Sequence, residues 1–434
     1  MTIITRIGEA VQTVFNDAAN AHEGLFIKRK REVTGEKFCQ TVVFGWLMEP
    51  EYTAEGLAQI GREFGLEISP QGLDQRFSPE AARYLQAVLS ETINQRIESD
   101  KATHGMLEQF DHVYIEDSSI VALPEELVTI WRGCGNGTVS KGNSSIKLQV
   151  RWELKSGNLD GPHLFNGRHS DNQAVLAHRL KEGHCLTIDD RGYWFLDRFA
   201  QEAKKGQAWL SYMKQTTCVV IDGVSKKIAV YLQTCQADEL DRAIFLGKTK
   251  QIPCRLLAKR LPKKVAQKRR RAAKRKAHNK GRTASTATLA LCDWVVMVTN
   301  LSAEQLSLTA ALDLIRVRWQ IELLFKLWKS VGRIDHFRSD NPWRVLCQLY
   351  AKLIGMVLLH WFLLATVWHF PDRSIFKATQ AIRRHLFMIA LAVKDSDLLI
   401  STLTRMVDSL SSGSRIKASK KDPRTFQIIL ALDA

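Results

Sequence analysis

The chain has 434 residues, 45% of them hydrophobic and 25% charged, and a formal net charge of +17. That length and apolar content support two or three folded domains and exclude a disordered chain. So basic a protein needs or tolerates an anionic partner, and nucleic acid is the first candidate.

Residues up to about 105 read as helices. Ile7, Val11, Val14 and Phe15 form a first amphipathic stripe. Met1–Arg6 lacks a secretory apolar region. Thr53–Gly65 reads as a helix ended by Gly65. Ser69-Pro70 then starts a short helix, and Ser78-Pro79 starts another that runs to about Ile97. Helix, turn and short helix are compatible with a helix-turn-helix in which Gln71, Gln75 and Arg76 contact DNA, or with an ordinary helical bundle.

From about residue 110 the pattern turns to strands. His112-Val113-Tyr114-Ile115 is β-prone and runs into Glu116-Asp117-Ser118-Ser119. Ile146–Leu154 alternates with period two, and a Ser156-Gly157-Asn158 turn leads to a return strand near Gly161–Phe165. A helix is expected around Asn172–Lys181. Cys185–Ile188 is another short strand, ending at Asp189-Asp190-Arg191-Gly192-Tyr193. Two separate strands therefore each end in aspartate, the way an α/β scaffold gathers acidic groups.

Cys218–Ile252 reads as a run of short strands that includes Ile228–Leu232, with Asp222-Gly223 as a turn. Lys263–Arg282 then carries eleven Lys or Arg residues and no acid. Such a run is a solvated linker or a grip on DNA phosphates, with Lys268, Arg269, Arg270 and Arg271 at its centre. Leu289–Thr299 returns to strand, and Ser302 is expected to cap the next helix.

Ile315–Lys329 reads as one helix, free of Gly and Pro. At about 100° per residue, Arg318, Glu322 and Lys329 fall within roughly 40° of one another, and the two cations stand about 16 Å apart along the axis. The bland reading is a solvated face with an Arg-Glu pair. The sharper one is a carboxylate for a divalent metal, flanked by cations for nucleic acid phosphates. The chain then stays helical to about Leu410, and the tail beyond it is polar and basic. Leu353–Trp368 is nearly all apolar, but it is short for a span and interrupted by His360, so it reads as a buried helix. Eight scattered cysteines, with no C-x-x-C pair and no His at zinc spacing, point away from zinc and toward a reducing compartment.

Asp117, Asp190 and Glu322 together resemble the catalytic acids of the DDE transposases of bacterial insertion sequences. The chain is similar in particular to the IS-four group, marked by a Tyr-x2-Arg-x3-Glu-x6-Lys signature. Arg318, Glu322 and Lys329 match it in type and spacing, while Ile315 stands at the tyrosine position. Asp190-Arg191-Gly192-Tyr193 matches the box around the second aspartate, which favours Asp190 over Asp189. The resemblance covers roughly residues 40 to 430.

It implies an α/β, RNase H-like mixed sheet flanked by helices and interrupted by a β-rich insertion. The expected regions are a helical DNA-binding domain at 1–105, core segments at 106–200 and 286–345, the insertion with its basic linker at 201–285, and a helical region at 346–434. It also implies two Mg²⁺ or Mn²⁺ ions held by Asp117, Asp190 and Glu322, with Arg318 and Lys329 positioning phosphates. Trp294 lies where relatives that form hairpins stack a flipped base; its other reading is a core tryptophan. The implied activity is cleavage at terminal inverted repeats and strand transfer into target DNA. The implied partners are double-stranded DNA and, in the synaptic complex, a second copy of the chain. Neither a membrane nor a small-molecule substrate is expected, and the expected location is the bacterial cytoplasm, at the nucleoid. The competing readings are a nuclease of the same fold without strand transfer, an inactive transposase-derived DNA-binding protein, and a basic membrane-associated protein.

Overall fold

The computed structural model describes residues 1–28, 32–100, 105–134, 143–171, 183–370, 373–411 and 413–416. The chain opens with helices α1 (Ile3–Gln12), α2 (Ala19–Ala21), α3 (Gly35–Met48), α4 (Ala54–Glu63), α5 (Pro70–Asp74) and α6 (Pro79–Asn94). Strands β1 (His112–Leu123), β2 (Ser144–Glu153), β3 (Leu159–Asn166) and β4 (Cys185–Asp189) follow, then α7 (Leu196–Lys204) and β5 (Ala208–Tyr212). Next come β6 (Cys218–Ile221), β7 (Val224–Lys227), α8 (Ile228–Thr234), β8 (Glu239–Leu246), β9 (Ile252–Arg260), α9 (Lys263–His278), α10 (Thr286–Leu291) and β10 (Trp294–Thr299). The last elements are α11 (Leu308–Val317), α12 (Trp319–Ser330), α13 (Pro342–Thr366), α14 (Ile375–Arg383), α15 (Leu386–Ala392) and α16 (Ser396–Ser411).

The fold is α/β, with a mixed sheet in the order β3-β2-β1-β4-β5-β10-β9-β8-β6-β7. The chain forms two compact units. Among the described residues, one comprises those of 1–100, 117–169 and 321–416; the other comprises those of 105–116 and 170–320.

In the first unit, side-chain caps start the helices where the sequence places them. Ser69 accepts from the Gly72 amide and Ser78 from the Ala81 amide, and a proline follows each at the first helical position. Gly65 ends the α4 segment at φ +76°, a conformation that favours glycine. The centre of this unit is α13, apolar on nearly every face and packed against α3 and α6. Gly355 leaves room for α3, because a Cβ there would stand 3.3 Å from the Leu47 side chain. Among the described residues α13 is the one helix long and apolar enough to cross a membrane, and 94% of its most apolar window is buried inside the protein. It is thus a core helix, as its interruption by His360 suggests. The hairpin β2–β3 lies in the same unit and packs on α6 and α13.

In the second unit, the first residues of β1 pair in parallel with β4, and β4 pairs in parallel with β5. The remaining ladder, through β10, β9, β8, β6 and β7, is antiparallel. Helix α7 packs on β5 and β9. Apolar side chains from α7, α8 and these strands close one cluster around Phe199, Trp209, Leu256 and Val298.

Several expectations are corrected. Asp117 lies inside β1 rather than after it, because the strand continues until Val121 and Leu123 are buried. Ile228–Thr234 is a helix: Ile228, Ala229 and Leu232 are buried while Val230 is 51% exposed, a helical and not a two-residue period. The basic stretch is, over most of its length, helix α9, whose alanines are good helix formers. Leu289–Leu291 belongs to α10, so the strand starts at Trp294. Ser307, not Ser302, caps the next helix, accepting from the Ala310 amide. The expected single helix is two, α11 and α12, with the ladder interrupted at Arg318, just after the weak helix formers Ile315 and Val317. The helix expected at 172–181 and most of the C-terminal tail lie outside the described residues.

Candidate active site

β1 and β4 run parallel with Ile115 opposite Ile188. Asp117 follows two residues later within β1, and Asp190 two residues later, just past the end of β4. Both are partly exposed, whereas the acids just before them are buried: Glu116 is 1% exposed and Asp189 0%. Alternation along a strand explains the contrast, since consecutive side chains take opposite faces.

Asp189 and Glu116 face a buried arginine. The Arg198 guanidinium stands 3.4 Å from the Asp189 carboxylate and 3.9 Å from that of Glu116, and its Nε donates to Glu202 at 2.7 Å. Burial alone would lower the Arg198 pKa, but the Asp189, Glu116 and Glu202 carboxylates outweigh it and raise it. The two neighbouring aspartates therefore stand in different settings. Asp189 is committed to an internal ion pair, and Asp190 is the partly exposed one.

Asp190 opens a short 3-10 turn, its carbonyl accepting from the Tyr193 amide at 3.1 Å. Its charge acts on two neighbours in the second unit, Tyr212 and Arg191. The Tyr212 phenol, at the end of β5, is raised in pKa by burial; Arg318 opposes the shift, Asp190 adds to it, and Arg191 and Arg269 oppose it. Burial lowers the Arg191 guanidinium, with Arg269 adding to the shift and Asp190 opposing it. Arg191 also lies over the Tyr212 ring, 5.8 Å from its centroid.

In the first unit, the Asp117 carboxylate accepts from the Ser118 amide at 2.8 Å. Glu322 sits in the first turn of α12, where the helix dipole favours a negative charge. Lys329, two turns on, donates from Nζ to the Ile120 carbonyl at 3.1 Å. Among the described residues no group of three or more His, Cys, Asp or Glu stands close enough to hold a metal ion, and the three acids expected from the sequence are no exception. Ile315, at the signature tyrosine position, is buried.

The other expected residues divide. Gln71, Gln75 and Arg76 are exposed on and just after α5. On α9, Lys268 and Arg271 are exposed, but Arg269 donates to the Trp294 carbonyl at 2.8 Å and Arg270 pairs with Asp293. Trp294 is 2% exposed in the apolar cluster, with the Arg260 guanidinium 4.4 Å from its ring centroid. It is a core tryptophan and presents no free face for a base. All eight cysteines are free thiols. Sequence reading missed Arg198 and Tyr212, since neither stands in a motif.

Residues 108–358 match the transposase DDE domain family. The chain belongs to the DDE transposase family. As such it is a DNA transposase of an insertion sequence, an enzyme whose substrate is DNA and whose family uses a divalent metal. It is 27% identical over 444 aligned positions to the transposase for insertion sequence element IS231F of Bacillus thuringiensis subsp. israelensis, covering 94% of this chain and 91% of that one. The transposase for IS231E of Bacillus thuringiensis subsp. finitimus is 26% identical, covering 95% and 91%. The transposase for IS1151 of Clostridium perfringens is 25% identical, covering 78% and 76%.

Proposed function

We propose that this transposase cuts DNA at the terminal inverted repeats of its element and joins the freed 3′ ends to target DNA, with Asp117, Asp190 and Glu322 as the catalytic acids. The observation that carries the reading is the pair of parallel strands in a chain of this family. Two residues past the matched isoleucines stands a partly exposed aspartate, Asp117 within β1 and Asp190 just after β4, while the preceding acid is buried in an ion pair. That pattern also supports an RNase H-like core.

Three carboxylates form a hard oxygen donor set, which suits two Mg²⁺ or Mn²⁺ ions. When bound, such ions supply Lewis acidity and an activated water for phosphodiester cleavage. The protein's own groups do the rest. Asp117 is held by the Ser118 amide. Glu322 stands in the first turn of α12. Arg318 and Lys329 hold phosphates flanking the reacting one. Lys268 and Arg271, on the exposed face of α9, grip the DNA backbone. The region 1–105 reads DNA through Gln71, Gln75 and Arg76, whose exposure supports the role. Two ends must meet, so the synaptic complex is a homodimer. The free thiols support a cytoplasmic setting, at the nucleoid.

The test is strand transfer. Labelled end duplexes mixed with a supercoiled plasmid and Mg²⁺ give end–plasmid joints on this reading. Metal-dependent cutting without any joint would instead indicate a nuclease.

A further inference from the structure

Arg198 is a buried guanidinium shared by three buried carboxylates, Glu116, Asp189 and Glu202. Burying a guanidinium together with three carboxylates is expensive for a protein interior, and an apolar replacement of similar volume would often be no less stable. Stability is therefore a poor explanation for it. Its placement suggests another. Glu116 adjoins Asp117 in sequence, and Asp189 adjoins Asp190. Residue periodicity in a strand is two, so fixing Glu116 and Asp189 inward fixes the opposite face for the residues that follow them.

We infer that Arg198 is a positioning residue: from α7 it pins Glu116 on β1 and Asp189 on β4, and thereby sets the facing and register of Asp117 and Asp190 for divalent metal. The inference rests on the proposed roles of those two aspartates. The planar fork suits the task, because its nitrogens reach carboxylates on two strands and on Glu202 at once, and a lysine ammonium offers no such fork. Arg198 itself touches neither substrate nor metal.

The experiment compares the full-length protein with Arg198→Lys and Glu116→Gln. Mn²⁺ binding to each, in complex with a pre-cut end duplex, is followed by electron paramagnetic resonance. Affinity for the duplex, circular dichroism and the Mg²⁺ concentration for half-maximal cleavage are measured alongside. Each variant is expected to keep its fold and its duplex affinity, to bind Mn²⁺ at least tenfold more weakly, and to need correspondingly more Mg²⁺. A folded variant with the parent's Mn²⁺ affinity overturns the inference. Loss of folding in both variants overturns it too, because the cluster would then serve stability. A parent that neither binds Mn²⁺ on pre-cut ends nor cleaves breaks the reading of the acids themselves. A parent that does both, matched by its variants, breaks only the role of Arg198.

Discussion

The Lys329 ammonium donates to the Ile120 carbonyl at 3.1 Å, joining the helix that carries Glu322 to the strand that carries Asp117. Within the first unit this bond ties two of the three proposed catalytic acids to one frame. A lysine has three donors, so a phosphate can be held by those the carbonyl leaves over. Lys329→Gln is expected to lower single-turnover cleavage about tenfold or more, about 1.4 kcal/mol of barrier. Affinity for the ends should fall less. An unchanged cleavage rate would remove Lys329 from the site.

Trp294 is a core residue at the start of β10, and Arg269 bonds its carbonyl. Trp294→Ala should therefore destabilise the protein by about 3–5 kcal/mol, read from urea unfolding. Trp294→Phe should cost less. A Trp294→Ala protein of unchanged stability that loses only a hairpin product would contradict this placement.

The two faces of α9 should behave differently. Lys268→Gln with Arg271→Gln is expected to weaken DNA binding and to lower the salt slope by about 1 for each phosphate no longer neutralised, with no change in stability. Arg270→Gln should instead cost stability, since its guanidinium pairs with Asp293. Salt-dependent binding isotherms and thermal unfolding separate the two. A double variant with the parent's salt slope would take α9 off the DNA.

His360 is buried in α13 and donates from Nε2 to the Gly157 carbonyl at 2.8 Å. Burial pushes its pKa down to about 4, against a partly opposing hydrogen bond. The folded state thus holds a neutral imidazole while the unfolded chain takes up a proton as pH falls below about 6.5. Stability from this group is complete above about pH 6.5 and is lost as pH falls through about 4, amounting to about 3 kcal/mol. His360→Gln keeps a donor for Gly157 and should lose that much less between pH 7 and 4, measured by urea unfolding. Identical acid sensitivity in both proteins would reject the assignment.

Much of this was legible in the sequence where a local cause decides the outcome. Ser69-Pro70 and Ser78-Pro79 announce helix starts because a cap hydroxyl and a fixed φ act within one turn. The Asp-Arg-Gly-Tyr box and the Arg–Glu–Lys spacing single out Asp190 and Glu322, the acids proposed here, through their resemblance to the family's motifs. Ile228–Thr234 was misread because a β-prone run does not show which side is covered, and the exposed Val230 decides it. Arg198 was invisible for a related reason. An arginine on a charged amphipathic helix reads as solvated, and its carboxylate partners on β1 and β4 come from distant parts of the chain. Trp294 shows the converse: a motif position suggested a base platform, and tertiary packing made it core.

The most direct test of the account is cleavage of labelled duplexes carrying the element's own ends, comparing the parent with Asp117→Ala, Asp190→Ala and Glu322→Ala in Mg²⁺ and in EDTA. The account predicts metal-dependent nicking at the element boundary that disappears in each variant and in EDTA, with end binding retained. Cleavage that survives alanine at any one of the three acids would contradict it.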